Sequence, residues 1–167
     1  MFPDDCLAAA RALLDACAAR GLRLATAESC TGGLIAGCLT EIAGSSAVVD
    51  RGWIVYDNRA KVEMLGVRAA TLAEHGAVSA ATAMEMVSGA LARSGCDLAI
   101  AVTGIAGPGG GSAGKPVGLV HLAAARRSGE VAHERHVFTG DRRSIRLQTV
   151  HRALRMALGL IGPTEIA

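Results

Sequence analysis

The chain has 167 residues, of which 51% are apolar and 2% aromatic, and its formal net charge is +2. This length and apolar share favour a single globular domain, residues 1–167, with a sizeable core. The small charge does not indicate a nucleic-acid or membrane partner, and no apolar run reaches the roughly 18 residues of a membrane span. Because Asp4, Asp5 and Arg11 interrupt the first segment, we expect no signal peptide and a cytoplasmic location.

The first third of the chain alternates between helical and extended patterns. Apolar residues at helical spacing predict a helix over residues 4–20, which Gly21 ends. A short strand is expected at residues 22–25, then a helix of small residues at 31–43 and a strand at 48–56.

The middle of the chain is mostly helical in pattern. Residues 59–65 and a weaker stretch around Leu72 predict short helices, and Ser79 is a good N-cap for a helix over residues 80–92. The continuous apolar run at residues 98–102 then predicts a strand that is buried on both faces.

The last third predicts two strands and a long helix. The strands are expected at residues 117–125 and 131–138, and Asp141 caps a helix over residues 142–158. Strands that alternate with helices and end in a strand pair predict an α/β layered fold with a mixed sheet.

The cysteines of the chain are Cys6, Cys17, Cys30, Cys38 and Cys96. An odd number at wide spacing, without a C-x-x-C pair, argues against a disulfide framework and against a zinc site. We expect the cysteines to be small buried residues and the protein to bind no metal. Cys30 is set apart because it adjoins Ser29 in a glycine-rich segment.

Two glycine-rich segments each follow an expected strand, namely residues 26–33 (TAESCTGG) and residues 103–110 (TGIAGPGG). In the first, hydroxyl groups meet the N-terminus of an expected helix, where free N–H groups suit an oxyanion or a phosphate. The second offers a backbone that a ligand can approach closely. Together they predict a site that holds an anionic small molecule beside a nucleophile.

Ser29 is the candidate nucleophile, and a serine hydroxyl needs a base to react. No histidine lies in a comparable loop and no G-x-S-x-G motif occurs, which disfavours a Ser-His-Asp triad. The alternative base is a lysine, since arginine keeps its proton whereas a desolvated lysine can lose it. Only Lys61 and Lys115 are available. Lys61 follows a strand end at which Tyr56 can orient it, and a solvated helix position is the other interpretation of Lys61.

Two further patterns have competing interpretations. Residues 109–115 read G-x-x-x-x-G-K, but Pro116 replaces the magnesium-binding Ser or Thr and a strand follows, which excludes a P-loop NTPase. Arg142, Arg143, Arg146, Arg152 and Arg155 form a basic run in the last helix that is typical of a solvated face. Arg142 begins that helix and is the one placed to clamp a carboxylate or phosphate.

Six motifs, in this order, resemble those of the CinA C-terminal domain family: residues 27–33 (AESCTGG), Tyr56 with Asn58 and Lys61, residues 76–79 (GAVS), residues 103–108 (TGIAGP), residues 115–118 (KPVG), and residues 140–142 (GDR) followed by Ile145 and Arg146. The resemblance covers nearly the whole chain. It implies a three-layer α/β/α fold with a mixed sheet, a homo-oligomer, and no metal or other cofactor.

The activity that this resemblance implies is nicotinamide-nucleotide amidase: hydrolysis of the carboxamide of nicotinamide mononucleotide to nicotinic acid mononucleotide and ammonia. It places the nucleophile on Ser29, the base on Lys61 and a supporting catalytic role on Tyr56. The substrate-binding residues that it implies are Thr31, Gly32, Thr103, Gly104, Ala106, Gly107 and Arg142.

Residues 56–61 read YDNRAK where the family has Y-S-N-E-A-K, so Asp57 adds a carboxylate that raises the lysine pKa if it points inward. A non-catalytic pyridine-nucleotide-binding or sensor module is the alternative function, since anion binding by the same loops needs no base. Replacement of Lys61 separates the two, because an enzyme loses turnover whereas a sensor changes only its affinity.

Overall fold

The computed structural model describes residues 2–162. Its five strands are β1 (Leu24–Glu28), β2 (Val49–Ile54), β3 (Leu98–Gly104), β4 (Leu119–Arg126) and β5 (Val131–Val137). Its α-helices are α1 (Asp4–Ala18), α2 (Leu34–Thr40), α3 (Asn58–Leu65), α4 (Ala69–His75), α5 (Ala80–Ser94) and α6 (Arg142–Ile161). A 3₁₀ turn at Ser45–Ala47 connects α2 to β2.

The strands form one mixed sheet in the order β2-β1-β3-β4-β5. β1 pairs in parallel with β2 and with β3, whereas β3–β4 and β4–β5 are antiparallel. One face of the sheet packs against α1, α2 and α6, and the other packs against α5, which in turn carries α3 and α4. The expected α/β/α layers with a mixed sheet in one domain are thereby confirmed.

Burial along the strands follows their place in the sheet. Every residue of β1 is buried, as are all of β3 except Gly104, because helices cover both faces of the central strands. β5 lies at an edge and alternates between half-buried and exposed residues. All five cysteines are buried and free, as predicted. Among the described helices, none combines the length and apolar character needed to cross a membrane.

Two predicted boundaries need correction near the first glycine-rich segment. β1 begins at Leu24 and continues to Glu28, so the strand includes residues that were expected in a loop. α2 begins at Leu34 rather than at residue 31, because Gly32 (φ 60°) and Gly33 (φ 96°) adopt the left-handed conformation that a right-handed helix excludes. A tight turn over residues 29–33 therefore separates the strand from the helix.

The start of α2 is capped by the side chain of Glu28, which is only 1% exposed. Its Oε2 accepts hydrogen bonds from the backbone N–H groups of Gly33 and Ile35, both at 3.0 Å, and its Oε1 accepts one from Ala36 at 2.9 Å. The Thr31 hydroxyl also donates to Oε2, at 2.6 Å. A negative group at a helix N-terminus satisfies N–H groups that have no partner within the helix.

The position of α3 is set by a close contact with α5. Gly89 lies in α5 against the end of α3, and a Cβ there would stand 1.9 Å from the carbonyl oxygen of Leu65. Glycine at position 89 thus allows the two helices to approach closely. Because Lys61 is on α3, this contact also fixes how far Lys61 stands from the sheet.

We expect Glu28→Gln to lower the free energy of unfolding by about 2–3 kcal/mol, because the new amide group turns an N–H donor toward backbone donors that need an acceptor. Urea unfolding monitored by circular dichroism measures the change. Glu63→Gln is the control, since Glu63 forms an exposed ion pair with Arg59 and such pairs contribute about 1 kcal/mol or less. Equal stability of the Glu28 variant and the parent would contradict the capping role.

Gly89→Ala should lower the free energy of unfolding by about 1–3 kcal/mol, because the new methyl group overlaps the Leu65 carbonyl. Thermal denaturation measures the loss. The control is Gly159→Ala in α6, where a Cβ would meet no atom within 4 Å, and where alanine should raise stability by about 0.5–1 kcal/mol. Stabilisation by both substitutions would contradict the proposed contact.

Candidate active site

The parallel strands β1, β2 and β3 end at the same edge of the sheet, where open α/β sheets bind their ligands. A cavity of about 190 Å³ opens there. The residues that line it are Ser29, Cys30, Tyr56, Lys61, Ala77, Val78, Thr103, Gly104, Ala106 and Arg142. The segments that follow β1 and β2, the end of β3 and the start of α6 therefore converge on one site.

Ser29 follows directly after the last residue of β1. Its backbone N–H donates to the carbonyl of Val102 on the neighbouring strand at 3.1 Å, so the sheet fixes the backbone of the candidate nucleophile. Ser29 is 7% exposed, and its hydroxyl faces Lys61. The serine side chain is thus held at the wall of the cavity.

Lys61 lies in the first turns of α3 and is almost fully buried. Its Nζ is 3.2 Å from Ser29 Oγ, 2.9 Å from the carbonyl oxygen of Val55 and 3.2 Å from that of Tyr56. Carbonyl oxygens only accept, so two N–H bonds of a neutral amine are used by Val55 and Tyr56. The lone pair of that amine then remains for the Ser29 hydroxyl.

The surroundings of Lys61 favour the neutral amine. Burial lowers the pKa of Lys61 below its ordinary value, and this effect exceeds the opposite influence of Asp57 and Cys30. Asp57 caps α3 by accepting from the backbone N–H of Arg59 at 2.8 Å. Asp57 is exposed and does not point inward, yet its charge raises the pKa of Lys61 from the protein surface without outweighing desolvation.

The N-terminus of α2 differs from what the sequence indicates. The N–H groups of Gly33, Ile35 and Ala36 are occupied by Glu28, so they do not face a ligand. The N–H of Gly32 donates to the Ser29 carbonyl at 3.1 Å. In this turn, the N–H groups of Cys30 and Thr31 donate to no backbone carbonyl of residues 2–162.

Tyr56 and Arg142 meet at the mouth of the cavity. Arg142 donates through Nη2 to the Tyr56 hydroxyl at 3.1 Å and through Nη1 to the carbonyl of Gly107 at 2.8 Å. The Tyr56 side chain is 60% exposed. It therefore orients Lys61 through its backbone carbonyl, while its hydroxyl is directed to Arg142.

The second glycine-rich segment forms the opposite wall. Thr103 is buried, and its hydroxyl donates to the carbonyl of Ala77 at 2.7 Å, which joins the end of β3 to the segment before α5. Gly104 has no room for a side chain, since a Cβ would lie 2.7 Å from the Leu119 carbonyl oxygen. This wall is built mainly from backbone and small side chains.

The structure separates the site residues implied by the sequence into two groups. Ser29, Lys61, Tyr56, Thr103, Gly104, Ala106 and Arg142 all line the cavity. Thr31, Gly32 and Gly107 do not line it, because the Thr31 hydroxyl is bound to Glu28, the N–H of Gly32 closes the turn, and the Gly107 carbonyl supports Arg142.

Other lining residues were not assigned to the site from the sequence. Ala77 and Val78 carry no reactive group, and their only signal was the GAVS motif. Cys30 was noted as a neighbour of Ser29; burial raises the pKa of its thiol to about 12, so the thiolate that would act as a nucleophile is disfavoured. No histidine is among the described lining residues. Within residues 2–162 no group of three or more His, Cys, Asp or Glu is arranged to hold a metal ion.

Comparison with known proteins shows a match over most of the chain. The family model of the CinA C-terminal domain matches residues 7–161. The chain is 52% identical over 136 residues to the nicotinamide-nucleotide amidohydrolase PncC of Escherichia coli K12, covering 81% of this chain and 82% of that protein. It is 53% identical to a CinA-like protein of Akkermansia muciniphila, covering 82% of this chain and 33% of that longer protein.

A solved structure shares the fold closely. The competence/damage inducible protein CihA from Agrobacterium tumefaciens superposes with a TM-score of 0.95 at 57% identity, covering 96% of this chain and 98% of the other. The sequence match, the shared fold and the motifs that surround the cavity agree. The chain therefore belongs to the CinA C-terminal domain family.

Proposed function

We propose that this protein is a nicotinamide-nucleotide amidase in which Ser29 is the nucleophile and Lys61 the base. The activity is the one for which the relative from Escherichia coli is named. The observation that carries the mechanism is the buried contact of 3.2 Å between Lys61 Nζ and Ser29 Oγ. Burial lowers the pKa of Lys61, which favours the neutral amine that can accept a proton from serine.

The first chemical step is acylation of Ser29. The Lys61 amine takes the hydroxyl proton as Ser29 Oγ bonds to the carboxamide carbon, and the carbonyl oxygen becomes an oxyanion. The N–H group of Cys30, a residue that lines the cavity, stabilises that oxyanion. When the tetrahedral intermediate collapses, the C–N bond breaks, and the Lys61 ammonium returns the proton so that ammonia leaves.

The second step releases the acid. Lys61 is again neutral and removes a proton from a water molecule, whose oxygen bonds to the acyl carbon. The ester bond to Ser29 then breaks, and its Oγ recovers a proton from Lys61. The carboxylate product departs with the enzyme unchanged.

The size of the cavity fits the reacting end of this substrate. A volume of about 190 Å³ is below the ~300–1,000 Å³ of sites that enclose an entire drug-sized ligand. The pyridine carboxamide therefore occupies the cavity, and the ribose and phosphate lie at its mouth. Arg142 is at that mouth, and its guanidinium can bind a phosphate with two N–H donors.

We expect Ser29→Ala to lower the kcat for ammonia release from nicotinamide mononucleotide by at least about 10³-fold, because no nucleophile remains. Coupled ammonia assays and thermal denaturation measure activity and folding. Cys30→Ala is the matched control and should keep most of the activity, since the thiol is not the attacking group. Full activity in the Ser29 variant and loss in the Cys30 variant would reassign the nucleophile. Nucleotide binding without turnover in the parent would favour a sensor.

The pH dependence of the rate of ammonia release should follow the protonation of Lys61, because the reaction requires its neutral form. The rate should rise as pH increases through the lowered pKa of Lys61 and level off above it. Asp57→Asn keeps a capping side chain but removes a charge that raises the pKa of Lys61, so the rising limb of the pH–rate profile should move to lower pH. A shift to higher pH would contradict this assignment.

Glu63→Gln is the control for the pH profile. Glu63 is an exposed acid on the same helix, but it pairs with Arg59 and is not among the groups that shift Lys61. Replacement of Glu63 should leave the rising limb of the pH–rate profile at the same pH. High salt should shrink the effect of Asp57→Asn, because exposed charges are screened.

A further inference from the structure

We propose that Arg146 is a positioning residue for the reaction at Ser29, because its guanidinium holds the turn whose Cys30 N–H receives the oxyanion. This inference rests on the proposed acyl transfer at Ser29. Arg146 does not line the cavity and touches no reacting group. It reaches the turn after Ser29 from α6.

Arg146 binds two successive carbonyl groups of the turn after Ser29. Its Nε donates to the Cys30 carbonyl at 3.1 Å, and its Nη2 donates to the Thr31 carbonyl at 2.7 Å. The planar guanidinium presents such donors in a fixed fork, which a lysine does not have. Gly32 permits the approach, since a Cβ at that position would lie 3.3 Å from Nη2.

The geometry of the peptide bond transmits this contact to the N–H groups. In a planar trans peptide, the C=O and the N–H point in opposite directions. The carbonyl of Cys30 and the N–H of Thr31 belong to one such unit, so a guanidinium that fixes the carbonyl also fixes the N–H. Arg146 thereby directs the Thr31 N–H away from itself.

Arg146 also influences the N–H of Cys30, through the peptide unit of Gly32. The Thr31 carbonyl and the Gly32 N–H form one unit, and that N–H donates to the Ser29 carbonyl at 3.1 Å. The Ser29 carbonyl in turn shares its peptide unit with the N–H of Cys30. The N–H of Cys30, a residue that lines the cavity, thus depends on the position of Arg146.

The charge of Arg146 adds to this geometric effect. A cation bonded to carbonyl oxygens polarises the peptide units, and linked hydrogen bonds strengthen one another in a medium of low dielectric constant.

Arg152 provides a matched control on the same helix. Its Nε and Nη2 donate to the carboxylate of Glu134 on β5, so it uses the same fork on a partner outside the site. Replacement of either arginine removes a comparable set of hydrogen bonds. A merely structural role predicts similar effects on catalysis from the two replacements, whereas the positioning role predicts an effect only from Arg146.

The test measures the reactivity of Ser29 with a fluorophosphonate probe, whose P=O oxygen occupies the position of the oxyanion, together with ammonia release from nicotinamide mononucleotide. Arg146→Ala should lower the maximal labelling rate and kcat by about 10²-fold, the effect of losing an oxyanion donor. The KM should stay within about threefold, because ground-state binding is retained. Arg146→Lys should lower the labelling rate and kcat at least about tenfold, since an ammonium group cannot donate to both carbonyls in the geometry of a guanidinium.

Rescue distinguishes positioning from general damage to the fold. Millimolar guanidinium chloride should raise the labelling rate of Arg146→Ala at least about fivefold, because the free cation presents the same fork. It should leave Arg152→Ala and Arg146→Lys unchanged. Arg152→Ala should lose stability but keep labelling and kcat within about twofold of the parent.

Several results would overturn the proposal. These are a folded Arg146→Ala variant with labelling within about twofold of the parent, an equal loss in Arg152→Ala, or no rescue by guanidinium. If Arg146→Ala does not fold, full activity of Arg146→Lys would likewise overturn the proposal. A parent that labels at Ser29 but does not release ammonia refutes the substrate while leaving the Arg146 comparison valid, and a parent that does neither refutes both.

Discussion

A carboxylate that is only 1% exposed, that of Glu28, stands at the end of β1 and accepts hydrogen bonds from the first N–H groups of α2. Burial of such a group is costly unless donors surround it, and here backbone and threonine donors do so. The cap holds the strand and the helix at a fixed separation. The intervening turn carries Ser29, so the position of the candidate nucleophile depends on this interaction.

Desolvation favours the neutral amine that the proposed chemistry needs. Lys61 extends from α3 to the edge of the sheet, where two backbone carbonyls and one hydroxyl surround its Nζ. Water is largely excluded, so burial favours the neutral amine over the ammonium. The close contact at Gly89 between α5 and α3 makes this depth of insertion possible. Packing of α3 against α5 therefore contributes to the lowered pKa of Lys61.

The two faces of the sheet contribute different parts of the site. The face that carries α3 and α5 supplies the base, and the face that carries α2 and α6 supplies the cap and two arginines. Arg142 and Arg146 are one turn apart on α6, yet one reaches Tyr56 at the cavity mouth and the other reaches the turn behind Ser29. Helix α6, which is anchored in the core, thus supports both the mouth of the cavity and the turn after Ser29.

Periodicity in the sequence was enough to predict the order of helices and strands, because buried strands and amphipathic helices have different spacings of apolar residues. The first glycine-rich segment made Ser29 a candidate, the scarcity of lysine pointed to Lys61, and its place at the start of the last helix pointed to Arg142. The later start of α2 and the occupation of its N–H groups by Glu28 were missed, because local propensity does not show where a buried carboxylate turns. Likewise, the depth of Lys61 and the partners of Arg146 come from residues distant in the chain. The sequence by itself determined the fold class and the candidate reactive side chains; only the tertiary structure decided their burial, hydrogen-bond partners and orientation, because these depend on contacts between elements far apart in sequence.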